Sequence, residues 1–154
     1  MDITRLLVPE AVKVAGHLTS KKRLFRHLGE IGAATYGLDA GTGVDALQER
    51  ESLGPTAVGH GVALPHARLS GLDSVCGVFL KLERALDFNA ADRQPVDLIF
   101  ALFAPDDSGV DHLKALALIS RTMRDGGVRA KLRANNDPAI LHAILVEARA
   151  TRAA

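Results

Sequence analysis

The chain has 154 residues, of which 47% are hydrophobic and 24% charged, and this suits one compact domain with its own core. Nineteen basic residues against eighteen acidic ones leave a net charge of +1, so no global field attracts nucleic acid or an anionic bilayer. With no Trp and one Tyr, the chain also lacks the stacking platforms of single-stranded nucleic-acid binders. We therefore expect a single domain over residues 1–154 that recognises its partners locally and binds no nucleic acid.

The apolar segments of the sequence are short. None approaches the roughly 18 to 20 residues needed to cross a bilayer, and the N-terminus MDITRLLVPE lacks the pattern of a signal peptide. We expect a cytoplasmic protein without membrane insertion. Cys76 is the single cysteine and lies in the apolar run SVCGVFLKL, which favours a buried small hydrophobe over a reactive thiol and excludes an internal disulfide.

Two helices are predicted in the first third of the chain. The first begins after Ser20, a good N-cap residue, and ends at Gly37, which can close a helix in the left-handed conformation. Its apolar residues recur at helical spacing: Leu24, Phe25, Leu28 and Ile31. A second helix is predicted from about Thr42 to Leu53, with Asp39 or Thr42 as its cap and Gly54-Pro55 as its stop.

The period then changes to short apolar runs rich in β-branched residues, which are typical of strands. We expect strands at about Ala57–Leu64, Ser74–Leu82 and Val96–Phe103. Their continuous apolar character predicts burial on both faces of the sheet.

Helices return after the last of these strands. An amphipathic helix is predicted in VDHLKALALISRTMRD with Asp107 or Ser108 as its cap, followed by a short helix at Arg129–Arg133. A last helix opens at Asp137-Pro138, where the missing N–H of proline costs nothing. Helices before and after a small buried sheet predict an α/β layered domain.

The stretch GHGVALPHAR surrounds a short apolar run with two histidines, two glycines and an arginine. The glycines allow close backbone approach or a bulge, and Pro65 fixes the local turn, so His66 is expected at a strand edge. An imidazole with a pKa of about 6.5 offers a ring lone pair that can attack an electrophile near neutral pH. The alternative is that His66 only packs or hydrogen-bonds at the end of a strand.

Three segments carry a resemblance: LQERESLGPTAVGHGVALPHARL, ALDFNAADRQPVDLIFALFAP and DHLKALALISRTMRD. In that order they resemble the enzyme IIA domains of the mannitol/fructose type in the bacterial phosphoenolpyruvate-dependent phosphotransferase system, above all the nitrogen-regulatory branch. The similarity runs from TSKKRLFRHLGEI to the last helix. It implies a single layered α/β domain with a small mixed β-sheet flanked by helices.

The resemblance also implies a site. The histidine of the family's GxAxPH motif accepts a phosphoryl group and maps onto His66; a downstream histidine that donates to the phosphoryl oxygens maps onto His112. The family's arginine, a phosphate-stabilising cation, maps onto Arg50. Phosphoryl transfer requires little more than such a positioned nucleophile and stabilising charges. The alternatives are an exposed helix histidine for His112 and solvated or ion-paired decoration for Arg50.

Two further residues near the motif are accessory candidates. Arg68 follows His66 by two residues and can serve either the site or the docking of a carrier protein, and His60 either touches the phosphoryl group or packs. Pro55 and Ala57 stand where the family commonly has a serine and a glycine. No metal-ligand spacing such as CxxC or HExxH occurs, so we assign no metal and no cofactor.

The resemblance implies a phosphotransferase that works as a phosphohistidine carrier, with a histidine-containing phosphocarrier protein as donor. We favour a nitrogen-regulatory, signalling role in which protein targets respond to the phosphorylation state. Two alternatives stay open: a sugar-transport IIA component that passes the group to a IIB cysteine domain, and a non-catalytic interaction module that binds an anion. The sequence leaves open the targets, the phosphorylated nitrogen and whether the chain forms a homodimer.

Overall fold

A computed structural model describes the backbone of residues 1–153 and the side chains of residues 1–148. The helices are α1 (Ile3–Leu6), α2 (Lys21–Tyr36), α3 (Ala40–Ser52), α4 (Gly109–Arg124), α5 (Gly126–Arg133) and α6 (Pro138–Ala153). The strands are β1 (Val12–Ala15), β2 (Ala57–Gly59), β3 (Val62–Ala63), β4 (His66–Leu69), β5 (Cys76–Leu86) and β6 (Val96–Pro105), and a 3-10 turn covers Pro9–Ala11.

The six strands form one mixed sheet in the order β1-β5-β6-β3-β2, with β4 also paired to β6. Strand β6 runs parallel to β3 and β4 and antiparallel to β5, while β1 runs parallel to β5. With helices packed around this sheet, the structure confirms the predicted α/β class and mixed sheet. Nearly every residue of β6 and most of β5 are buried, as their apolar runs predict, whereas β2 is not.

The predicted helices are confirmed with shifted ends. Helix α2 begins after Ser20, whose hydroxyl accepts a hydrogen bond from the Arg23 amide, and ends at Gly37 with φ of 74°. Helix α3 starts two residues before the predicted position because Asp39, and not Thr42, is its cap. Helix α5 is longer than predicted and begins after Asp125, whose carboxylate accepts from two amides of its first turn.

The predicted single strand over Ala57–Leu64 is wrong. The chain turns at His60 and Gly61, which have φ of 57° and 76°, and so forms the hairpin of β2 and β3. Beyond Pro65, which has no N–H to continue the ladder, a separate strand begins at His66. His66 therefore starts a strand; it does not follow the end of one.

The N-terminal elements α1 and β1 and the 3-10 turn were not predicted. Ser108 is the N-cap of α4 as expected, but its hydroxyl donates to the Pro105 carbonyl and does not cap the helix. Cys76 is buried as predicted, and burial raises the pKa of its thiol to about 12. Among the described residues, no helix has the length and apolar content that a membrane span requires.

Candidate functional site

His66 is placed by the pairing of β4 with the central strand β6. The Leu102 amide donates to the Pro65 carbonyl at 2.9 Å, and His66 itself stands opposite Leu102. The neighbouring residues Pro65 and Ala67 are buried, whereas the His66 side chain is half-buried. A rigid strand thus presents one imidazole at the surface.

The hydrogen bond at Nδ1 determines the tautomer of His66. Its Nδ1 lies 2.9 Å from the Leu64 carbonyl oxygen. Because a carbonyl only accepts hydrogen bonds, Nδ1 must carry the proton, and in the neutral ring the lone pair is then on Nε2. A neutral His66 ring therefore carries its lone pair on Nε2, on a side chain that is half-buried.

His112 lies beside His66. The two ring centroids are 5.6 Å apart in an edge-to-face arrangement, and the His112 side chain is buried, with 6% of the residue exposed. His112 belongs to the first turn of α4, which no side chain of the described residues caps. Backbone N–H groups and the positive end of the helix dipole in such a turn favour an anion.

Arg68 contacts His112 from β4. Its Nε donates to His112 Nδ1 at 3.3 Å, and its Nη1 is 3.4 Å from the Asp106 carbonyl oxygen. Burial, together with the nearby His66 ring and Arg68 guanidinium, lowers the pKa of His112 below its ordinary value. His112 Nε2 is buried and has no hydrogen-bond partner within residues 1–148.

Arg50 occupies the last turn of α3, the helix that packs on β4. Its Nη1 donates to the Gly54 carbonyl at 3.0 Å, and within the described side chains it makes no hydrogen bond to either imidazole. The structure thus brings His66, His112 and Arg68 into one cluster and leaves Arg50 bonded to the adjacent loop. The phosphate contact expected of Arg50 requires its guanidinium to leave the Gly54 carbonyl or to use its other N–H groups.

His60 lies just before β3, at the opposite end of the β3–β4 segment from His66. The Asp97 amide donates to the Gly61 carbonyl, five residues before the Leu102 that faces His66, which is about 16 Å of strand. The His60 amide donates to Asp92, and its carbonyl accepts from Arg133. The structure therefore places His60 in the hairpin turn and apart from the imidazoles of His66 and His112.

A carboxylate that the sequence analysis missed holds the loop before the motif. Glu51 accepts from the Thr56 amide and hydroxyl and from Lys21 Nζ, at 2.9 Å for the lysine. The Thr56 carbonyl accepts from the Leu64 amide, and the Leu64 carbonyl holds His66 Nδ1. A glutamate at a helix end, followed across a Gly-Pro turn by threonine, is the only sequence signal for this clamp.

The comparisons with known proteins agree with this architecture. Residues 5–148 match the family model described as "Phosphoenolpyruvate-dependent sugar phosphotransferase system, EIIA 2". A nitrogen regulatory protein of Bradyrhizobium diazoefficiens is 44% identical over 153 residues, which cover 99% of this chain and all of the relative. The chain belongs to the EIIA 2 family of the phosphotransferase system, and its relatives include nitrogen regulatory proteins.

Solved structures show the same fold. The nitrogen regulatory protein IIA-Ntr from Neisseria meningitidis superposes with a TM-score of 0.85 at 31% identity, covering 93% of this chain and 98% of that one. The mannitol IIA of Escherichia coli superposes with a TM-score of 0.71 at 20% identity, covering 86% and 95%. The second likeness shows the fold alone.

Proposed function

We propose that this protein is a phosphohistidine carrier: His66 Nε2 accepts a phosphoryl group from a histidine phosphocarrier protein, and the phosphorylation state then regulates other proteins. The observation that carries the proposal is the hydrogen bond from His66 Nδ1 to the Leu64 carbonyl, since in the neutral ring it leaves the lone pair on Nε2. Family membership supports a phosphotransferase component.

The phosphoryl transfer from one histidine to the other needs no proton to be added or removed. The Nε2 lone pair of His66 forms the new N–P bond while the N–P bond of the carrier's phosphohistidine breaks, and that nitrogen recovers its lone pair. The His66 ring becomes positively charged and keeps its Nδ1 proton, whose hydrogen bond to the Leu64 carbonyl strengthens because the donor is now charged. The phosphoryl oxygens bring two negative charges.

Those oxygens require hydrogen-bond donors and cations. His112 Nε2–H is a buried donor whose ring lies next to His66, so a phosphoryl oxygen would give it the hydrogen bond it lacks. Arg50 keeps its proposed role as a cation that turns toward the phosphoryl group, supported by the packing of α3 on β4. Stabilisation of this kind supplies most of the catalysis in phosphoryl transfer.

The regulatory role is supported by the relatives and by the surface around the site. Val110 and Leu113 flank His112 on α4 and are 67% and 65% exposed, an apolar surface of the kind that protein partners cover. Adding a phosphoryl dianion beside such a surface changes which protein binds there. The nitrogen regulatory name of the relatives gives the class of process.

The test is phosphorylation by purified components. We expect incubation with phosphoenolpyruvate, enzyme I and the phosphocarrier to add one acid-labile phosphoryl group, as measured by mass spectrometry of the intact protein. His66→Ala should abolish the gain, whereas His17→Ala, which removes an exposed loop histidine, should retain it. Persistence of the gain in His66→Ala would contradict the assignment.

Two added measurements determine the fate of the phosphoryl group. We expect proteins captured from an extract to differ between the phosphorylated and unphosphorylated forms, and we expect no rapid loss of the phosphoryl group to a purified IIB cysteine domain. Rapid transfer to that domain would indicate a sugar-transport component. Binding of inorganic phosphate without any phosphorylation would indicate an anion-binding module.

A further inference from the structure

Arg68 shares a face of β4 with His66 and contacts His112. Residues two apart on a strand point to the same face, so Arg68 and His66 project from the same side of the sheet. From there the Arg68 Nε reaches His112 Nδ1, 44 residues further along the chain. This contact favours a role in the site over the alternative role in docking.

The chemistry of the guanidinium restricts what His112 can be. Arginine donates hydrogen bonds and accepts none, and it stays protonated in proteins. His112 Nδ1 must therefore present its lone pair to Arg68 Nε. A proton on Nδ1 would set two donors against each other, which excludes both the imidazolium and the other neutral tautomer.

The remaining proton of His112 is consequently on Nε2. That atom is buried and without a hydrogen-bond partner among the described side chains, a cost of about 1–3 kcal/mol for a neutral donor. The two histidines thus have opposite tautomers because their partners are opposite. An acceptor-only carbonyl holds His66 at Nδ1, and a donor-only guanidinium holds His112 at Nδ1.

We propose that Arg68 is a positioning residue: it holds His112 as a neutral ring whose Nε2–H donates to the phosphoryl group on His66. The role in transfer rests on the proposed function; the control of the His112 tautomer does not. The charged and titratable groups that act on the ring are His66 and Arg68 from β4, while Asp111 and Lys114 of α4 itself are exposed.

The tautomer is tested directly with 15N-labelled protein and long-range 1H–15N spectra of the imidazoles across pH 5 to 8. We expect His112 to be protonated on Nε2 alone at neutral pH. In Arg68→Met its titration midpoint should rise above that of the unaltered protein, and Arg68→Lys should restore part of the difference. Arg84→Met, which removes an exposed arginine of β5, should leave the midpoint unchanged.

The rate of His66 phosphorylation is the second readout. We expect Arg68→Met to slow it about tenfold, less than the hundredfold or greater loss when such a donor itself is removed, with partial recovery in Arg68→Lys. A proton on His112 Nδ1 in the unaltered protein, or an unchanged midpoint in Arg68→Met, would overturn the proposal. Slower transfer with an unchanged midpoint would assign Arg68 to carrier docking instead.

These outcomes separate the two proposals. If no form becomes phosphorylated, the proposed function fails, while the spectra still decide whether Arg68 sets the tautomer of His112. If phosphorylation occurs and the spectra contradict the tautomer, only the role of Arg68 fails.

Discussion

His112 combines burial with a hydrogen-bond donor that no group in residues 1–148 satisfies. A neutral donor left in this state costs about 1–3 kcal/mol, and a leucine of similar size would avoid that cost. Under the proposed function, His112 is a destabilising group that becomes satisfied when a phosphoryl group is attached to His66. Stability and the proposed phosphoryl transfer then favour different residues at this position.

We predict that His112→Leu leaves the free energy of unfolding unchanged or raises it by about 1 kcal/mol, because the unsatisfied donor is removed while the exposed Arg68, which loses its acceptor on Nδ1, can bond to water instead. The same change should slow phosphorylation of His66 about a hundredfold, since one donor to the phosphoryl oxygens is lost. Urea denaturation and rapid-quench labelling measure the two quantities.

The matched control is His142, whose Nε2 is 2.9 Å from the Leu7 carbonyl oxygen in a part-buried contact. His142→Leu should lower stability because it breaks that bond, and it should leave the transfer rate as it was. Equal transfer rates in both variants would remove His112 from the site.

The pH dependence of stability follows from the lowered pKa of His112. The unfolded ring, with a pKa of about 6.5, takes up a proton more readily than the folded ring, so stability falls as the pH drops below about 6.5 through the lowered pKa. Above about pH 6.5 this contribution is constant. We expect the loss between pH 7.5 and 5.5 to be smaller in His112→Leu, measured by urea denaturation; an equal loss would contradict the shift.

At the scale of single residues, the sequence predicted which residues belong to the site better than it predicted the contacts they make. His66 and His112 follow from the motif, and the structure places their rings together. The His112 tautomer and the contact of Arg68 with His112 depend on β4 meeting α4, 44 residues apart at this contact, so no local pattern contains them. The His66 tautomer depends on the Leu64 carbonyl, two residues away, but only the folded turn at Pro65 brings that oxygen to Nδ1. The contact predicted for Arg50 stays a prediction.

At the scale of the elements, a buried lysine joins β5 to α5. Lys81 is 5% exposed, and its Nζ donates to the carbonyls of Arg133 at 2.9 Å and Asn135 at 2.5 Å. These carbonyls lie at the C-terminus of α5, where a cation also complements the helix dipole. Lys81, a residue of β5, thus caps the C-terminus of α5 with its ammonium group.

We predict that Lys81→Met lowers the free energy of unfolding by about 2 to 3 kcal/mol, because two carbonyls near the core lose their donor. Lys13→Met, at an exposed position on β1, is the control and should change stability by less than about 0.5 kcal/mol. Chemical denaturation of both variants measures the difference. Equal stabilities would show that Lys81 is not a cap.

The hairpin before the motif depends on Gly61. A Cβ there would lie 3.0 Å from Asp97 Oδ1 and 3.3 Å from the Pro95 carbonyl oxygen, in a backbone with φ of 76°. Gly71 has a similar φ of 85° but nothing within 4 Å of the position that a Cβ would take. Gly71→Ala therefore measures the backbone strain alone, which is about 1–2 kcal/mol. We predict that Gly61→Ala lowers stability more than Gly71→Ala in parallel thermal denaturation; equal losses would contradict the steric account.

The hairpin also shows why element boundaries were harder to predict than elements. The run Ala57–Leu64 is apolar throughout most of its length, and apolar continuity indicates a buried strand whether or not the chain turns within it. The turn is held by contacts with Asp92 and Arg133, which are distant in sequence. The short elements α1 and β1 contain too few residues for a periodic pattern.

At the scale of the molecule, β6 connects the site to the core. One edge of β6 pairs with β5, and the other pairs first with β3 and then with β4, so Pro65 divides one edge between two short strands. The fold class followed from the order of helices and strands, but the pairing of β1 with β5 and of β4 with β6 did not. Such pairings join distant segments, and only tertiary packing selects them.

The net charge of +1 has a consequence for the whole molecule. Because no strong field surrounds the protein, the proposed phosphoryl dianion on His66, offset in part by the positive ring, would be a large local change at a site flanked on α4 by the exposed Val110 and Leu113. A partner that covers this surface can therefore distinguish the two forms without a change in fold.

The proposed carrier role depends on one atom, His66 Nε2, and NMR spectroscopy of the 15N-labelled, phosphorylated protein tests it most directly. We predict that phosphorus is bonded to Nε2 of His66 while Nδ1 keeps its proton and its hydrogen bond to the Leu64 carbonyl. Phosphorus on Nδ1 of His66, or on any other histidine, would contradict this role.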